Sequence, residues 1–207
     1  MKKYSDLNEN AKDVLMEIGN IGTGNAVTSL SSMMGRQIDM ERPTVQITGF
    51  NDIPEVFGGL EDIQVGVLLE ISGELNGMFM FLISESFAKV MLKELVGAEL
   101  DFITDIDEMG LSAVQEIGNI MCCSYINALS MMMNLKVHVS VPGVCIDMTG
   151  AILSAPMIHF AKLSDELLLI EDRYHFDNMS VVSHVLFLPE IDSLERIFEA
   201  LGEEYEG

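Results

Sequence analysis

Glu17 and Asn20 stand three residues apart in the string EIGNI, and Glu116 and Asn119 stand three apart in a second EIGNI 99 residues later. Residues at that spacing on a helix are neighbours in space. Each pair therefore sets a charged acceptor beside an amide that both donates and accepts. Such a pair can orient a water molecule or grip a cation on a partner, but it includes no nucleophile with its own base. The matched spacing extends outward. Asp13 precedes Glu17 by four residues as Ser112 precedes Glu116, and Pro43 and Pro142 each follow their asparagine by 23 residues. Several equal spacings in a chain of 207 residues indicate an internal duplication.

The elements that must carry these pairs are long helices. From Ala11 onward, Val14, Leu15, Ile18, Ile21, Gly22, Ala26 and Leu30 return at three- and four-residue intervals. At about 100° per residue, Asp13, Glu17, Asn20 and Gly24 share one narrow polar stripe, opposite Leu15, Ala26 and Met33. Val14, Leu15, Ile18 and Ile21 are assigned to the buried side. Gly19 and Gly22 lie toward that side, where they would let a neighbour approach closely, whereas Gly24 on the stripe would leave room for a docking partner. In the second copy the stripe reads Ser112, Glu116, Asn119 and Cys123. Asn25 falls toward the buried side, and both it and Asn127 are assigned structural roles.

Around the helices the chain reads mostly as strands. TVQITGF is one, followed by a loop at Pro54 and Gly58-Gly59; Ile63–Ile71 and Leu75–Ile83 are two more. Ser84 starts a helix that Gly97 ends. The second long helix runs from about Asp105 to Asn134, and a strand region follows over Val137–Met148, broken at Pro142-Gly143. Further strands are expected over Ala151–Phe160, Leu167–Phe176 and Met179–Leu188. A closing helix with Pro189 in its first turn would run to Leu201, ahead of a frayed acidic GEEYEG. Short, hairpin-connected strands favour antiparallel pairing. The fold class is therefore α+β: a pseudo-two-fold helix-strands-helix unit repeated over about residues 11–100 and 105–201. With no polar or Gly/Pro-rich linker between the repeats, residues 1–207 read as one domain.

Composition removes several function classes. Hydrophobic residues make up 49% of the chain, too many for general disorder, while the longest apolar runs fall well short of a membrane span. Eleven basic against 33 acidic residues give a net charge of −22, which would repel nucleic acid and anionic lipid. Neither a nucleic-acid partner nor membrane insertion is expected. MKKYSDLNENAKD has no apolar signal core, so a cytoplasmic location is expected. Cys122, Cys123 and Cys145 read as reduced, packed thiols. The 16 methionines read as core filling, and His138, His159, His175 and His184 have no metal-ligand spacing.

The doubled pattern of Asp13, Glu17, Asn20 and Pro43 with Ser112, Glu116, Asn119 and Pro142 resembles the CheC family of bacterial chemotaxis phosphatases. The helix text EIGNIGTGN and SAVQEIGNIMCCSY shares the likeness, which extends over nearly the whole chain. The resemblance implies a largely antiparallel sheet with the two long motif helices on one face. It further implies hydrolysis of the phosphoaspartate of the response regulator CheY. Asn20 and Asn119 would orient the attacking water, and Glu17 and Glu116 would pair with the partner's lysine. Asp13, Ser112, Pro43 and Pro142 would support the motif. No cofactor of its own is implied, since the Mg2+ belongs to the response regulator. The alternative is a non-catalytic module acting mainly through the deamidase CheD, or a flagellar-switch-associated protein. The added carboxy-terminal domain of the switch proteins is missing from this sequence, which argues against that last role.

Overall fold

The computed structural model describes residues 9–49, 51–57, 59–160, 166–176 and 179–200. The first repeat contains α1 (Glu9–Met34), β1 (Asp39–Met40), β2 (Thr44–Gly49), α2 (Ile53–Val56), β3 (Ile63–Gly73), β4 (Gly77–Ser84) and α3 (Glu85–Val96). After a 3-10 turn at Ile103–Asp105, the second contains α4 (Glu108–Met133), β5 (Val137–Val139), β6 (Gly143–Met148), α5 (Thr149–Phe160), β7 (Glu166–Phe176), β8 (Met179–Pro189) and α6 (Ile191–Ala200). Local chemistry sets the helix ends. Ser84 caps α3 by accepting from the Phe87 amide, and Gly97 closes it at φ 70°. Asp107 caps α4 by accepting from the Gly110 amide at 2.8 Å, and Asn134 ends it in the left-handed region.

Eight strands form one antiparallel sheet in the order β1-β7-β8-β4-β3-β5, with β2 also paired to β7 and β6 to β3. The repeats exchange strands across this sheet: β1 and β2 of the first lie on β7 of the second, and β5 and β6 of the second lie on β3 of the first. β4 and β8 meet at the centre, so every hydrogen-bonded path across the sheet passes from one repeat to the other. The pseudo-symmetry reaches individual bonds. Glu41 N donates to Arg173 O at 3.0 Å, and its counterpart Ser140 N donates to Glu70 O at 2.9 Å.

Strand alternation divides the core. Phe79, Phe81 and Ile83 of β4 join Leu168, Ile170, Val185 and Phe187 beneath α1, α3 and α4. Met80, Leu82, Leu169, Leu186 and Leu188 face the other way, beneath Ile53 and Phe57 near α2 and Ile152 and Leu153 of α5. α1 and α4 pack against each other over the larger cluster, on the same face of the sheet.

Several sequence expectations are corrected. Ala151–Phe160 is helix, not strand. Its buried Ile152, Leu153 and Pro156 are spaced as one helical face, and the continuous apolar run hid that period. Pro54 lies within the short helix α2, where a missing N–H is tolerated in the first turn. Pro189 is the last residue of β8, paired with Gly77, not part of α6. The GEEYEG segment lies outside the described residues.

Candidate functional site

On α1, Asp13 and Glu17 are exposed and Asn20 is half-buried, with its Nδ2 donating to Glu17 Oε2 at 3.5 Å. On α4, Glu116 is exposed and Asn119 half-buried. The two asparagines are thus presented by antiparallel-sheet-backed helices, each beside a carboxylate open to solvent. The exposed arc of α1 is wider than the sequence stripe. Ile21, expected to be buried, is 37% exposed. Asn25 is also exposed, its carbonyl oxygen accepting from Ser29 Oγ. Both residues are open because α1 meets the sheet and α4 through its glycines, which moves the buried arc away from Ile21.

Those glycines fix how deep the motif helices sit. A Cβ on Gly118, the residue before Asn119, would lie 2.5 Å from both methyls of Val67. A Cβ on Gly19, the residue before Asn20, would lie 2.7 Å from Val45 Cγ2. Each asparagine therefore follows a residue whose backbone rests on a strand valine. Gly22 does the same between helices, since a Cβ there would lie 2.3 Å from Cδ1 of Tyr125.

Below that crossing lies a polar cluster. Asp172 of β7 is fully buried. Its carboxylate accepts from the hydroxyls of Tyr125 on α4, of Thr23 on α1 at 2.7 Å and of Tyr174 at 3.0 Å. Burial pushes Asp172 up to about 6, and the three hydroxyls, Tyr125 foremost, oppose the rise by bonding the charged form. One carboxylate thus ties both motif helices to the same strand.

Beside the second motif stands a wall whose side chains differ from those at the same positions of the first. Ser112, Gln115, Glu116, Asn119, Val139, Ser140, Val141 and Pro142 line a cleft of about 430 Å³ between α4 and the β5–β6 connection. Gln115 Nε2 donates to Pro142 O at 2.9 Å, which places Pro142 against the motif helix. The Ser112 hydroxyl turns back to the Glu108 carbonyl at 2.9 Å. Cys123 Sγ donates to Asn119 Oδ1 at 3.6 Å. Burial, and then the charge of Glu116, raises the Cys123 thiol above its ordinary value, so it stays a protonated, weak donor. In the first copy Pro43 is buried just before β2, and Met16 occupies the position of Gln115. Gln115, Ser140 and Val141 were not singled out from sequence; the only available signal was the polar-for-apolar mismatch between Gln115 and Met16.

An exposed carboxylate with a neighbouring amide can hold a cation and aim a water. Among the described residues no group of three or more His, Cys, Asp or Glu is placed to hold a metal ion. No helix among them is long and apolar enough to cross a membrane.

A model of the CheC-like family matches residues 11–47 and 109–146, the two stretches that hold the motif helices and the strand segments after them. The chain is 31% identical to the CheY-P phosphatase CheC of Bacillus subtilis, over 98% of this chain and 99% of that protein. It is 27% identical to the flagellar motor switch phosphatase FliY of the same organism, over 69% of this chain but only 37% of FliY. Its fold is similar to the crystal structure of Thermotoga maritima FliY, with a TM-score of 0.72, 24% identity, and coverage of 95% of this chain and 98% of that one.

Proposed function

The chain belongs to the CheC-like family, and we propose that it is a phosphatase that hydrolyses the phosphoaspartate of the chemotaxis response regulator CheY. The observation that carries this reading is the Glu–Asn pair, presented twice on two helices over one face of the sheet, in a chain alike from end to end to a CheY-P phosphatase.

In this reading, Asn20 and Asn119 orient the attacking water. The amide accepts one hydrogen of the water and fixes its oxygen lone pair in line with the bond from phosphorus to the aspartyl oxygen. Water adds at phosphorus, that bond breaks, and the products are inorganic phosphate and the regulator's free carboxylate. The acyl phosphate is already labile, so orientation alone supplies a useful acceleration. Glu17 and Glu116 pair with the regulator's lysine. A carboxylate left unpaired beside the phosphoryl group would repel its oxygens, and the lysine removes that penalty while holding the amide in register. Asp13 and Ser112 stand one turn before the glutamates and shape the docking face. Mg2+ in this scheme belongs to the regulator, and this chain supplies geometry.

Supporting features are the exposure of both glutamates, the half-burial of both asparagines, and glycines that fix helix depth directly before each asparagine. The reading also takes the protein to work in the cytoplasm, where a phosphorylated response regulator is found. Association with the deamidase CheD is compatible with this scheme as a second partnership. Decay of phosphorylated CheY, followed with and without this protein, tests the activity. Acceleration that scales with protein concentration is expected. Unchanged decay together with tight CheD binding would transfer the main role to CheD.

A further inference from the structure

The two motif copies are flanked by chemically different rims. Beside the second, Ser140 is clamped to β3: its backbone N–H donates to Glu70 O at 2.9 Å, and its Oγ accepts from Glu70 N at 3.0 Å. Two residues later, the Gln115 side chain holds Pro142 O at 2.9 Å. Val141 lies between these clamps and is 81% exposed, with Val139 at 40% on the same cleft. A valine fixed on both sides yet open to solvent has its backbone ordered before any partner arrives, so docking on it loses little conformational entropy. The first copy keeps only the backbone part of this arrangement, Glu41 N to Arg173 O at 3.0 Å. Glu41 stands at the Ser140 position and is paired with Arg173 and His175, Arg42 stands at the Val141 position, and Met16 cannot replace the Gln115 bond.

We propose that Val141, held by Gln115 and Ser140, is an apolar docking knob specific to the second site. It would seat against an apolar contact on the response regulator, close to the phosphorylated aspartate and the lysine. This rests on the reading of Glu116 and Asn119 as the cation-pairing and water-orienting groups. The occupant follows from continuity and charge. Glu116 and Asn119 line the same cleft as Val139 and Val141, and among the described residues Glu116 has no cationic partner, so the fitting surface carries a cation and an apolar contact side by side. Gln115 acts as a positioning residue through Pro142 and touches no reacting atom. The first site, with Glu41 and Arg42 on its rim, would accept the same regulator through polar contacts. The duplicated motif would thus give two docking modes of unequal strength.

The test isolates each site kinetically. In an Asn20→Ala background, where the second copy provides the chemistry, Val141→Arg places the first copy's residue on the knob and should raise KM for phosphorylated regulator about tenfold, the effect of withholding one valine side chain from burial. Under the same conditions kcat should stay within about twofold. Gln115→Met should raise KM several-fold, and Gln115→Glu, which keeps length but loses the donor, should behave alike. In an Asn119→Ala background these substitutions should leave KM within about twofold. Unchanged KM in the first background, or equal rises in both, would overturn the knob. If the wild-type protein fails to accelerate decay at all, the phosphatase reading falls. The knob is then judged by equilibrium binding to regulator carrying trifluoroberyllate on its aspartate, where Val141→Arg must still weaken one of the two sites about tenfold and leave the other unchanged, or the proposal is wrong.

Discussion

Replacing Gly118 by alanine tests whether helix depth controls chemistry at the adjacent amide. The added Cβ would lie 2.5 Å from both Val67 methyls and 2.6 Å from Val67 Cβ. Val67 is fully buried and β-branched, so it has no open space to rotate into. Restoring ordinary carbon contact requires α4 to rise by about 1 Å at this point. Overpacking of this kind costs about 1–3 kcal/mol, and alanine's better helix propensity returns about 1 kcal/mol, leaving a net loss of up to about 2 kcal/mol. The kinetic effect should be larger. A shift of about 1 Å in Asn119 spoils the aim of the water and can cost on the order of 100-fold. Phosphate release from the phosphorylated regulator, measured in an Asn20→Ala background beside urea unfolding of the same variant, separates the two effects. Adding Val67→Ala removes two of the three colliding carbons and leaves the Val67 Cβ contact at 2.6 Å, so the double variant should recover part of the lost rate. Full activity in Gly118→Ala, or no recovery with Val67→Ala, would refute the link between glycine contact and amide placement.

Three other outcomes are expected. Asp172 is raised in the folded protein to about 6 from an ordinary 3.8, so its contribution to stability is full below the lower value and is lost as pH rises through the higher one. Against Asp172→Asn, the wild type should therefore lose about 2 kcal/mol between pH 4.5 and 7, read from urea midpoints; parallel pH profiles would exclude that assignment. Glu17→Gln with Glu116→Gln should raise KM for the regulator with a smaller fall in kcat, because the pairing with lysine acts before and during the chemical step; a pure kcat loss would give the carboxylates another role. Burial drives the Cys122 thiol up, so Cys122 should resist alkylation in the native protein while the exposed Cys145 labels first. Mass spectrometry of the labelled chain reads the order.

Much of the site was legible because it rests on local spacing. Glu17, Asn20, Glu116 and Asn119 all fall on accessible faces of the helices expected from periodicity, and the Ser84 and Gly97 signals mark the ends of α3. What was hidden depends on partners distant in sequence. The exchange of β1 and β2 for β5 and β6 between repeats leaves no trace in either repeat alone, since an antiparallel strand reads the same whichever neighbour it pairs with. Asp172 looks like a surface residue in ELLLIEDRYHF until Thr23 and Tyr125 supply its donors from 149 and 47 residues away. α5 reads as strand in the sequence because its solvent-facing side carries Ala151 and Ile158, so the polar face that marks a surface helix is largely missing. Ile21 and Asn25 lie outside the arc that periodicity assigns to the core because backbone contacts at Gly19 and Gly22 rotate that arc, and periodicity reflects side chains only.

In the proposed scheme two asparagines, one per repeat, supply the hydrolytic geometry. Asn20→Ala with Asn119→Ala, compared with wild type for release of inorganic phosphate from phosphorylated CheY, addresses it directly. Both side chains are only half-buried, so the double variant should unfold at nearly the wild-type midpoint. Decay at the regulator's own unaided rate, from a folded double variant that still binds the regulator, is the expected result. Wild-type acceleration by that folded double variant would rule out the asparagines as the water-orienting groups.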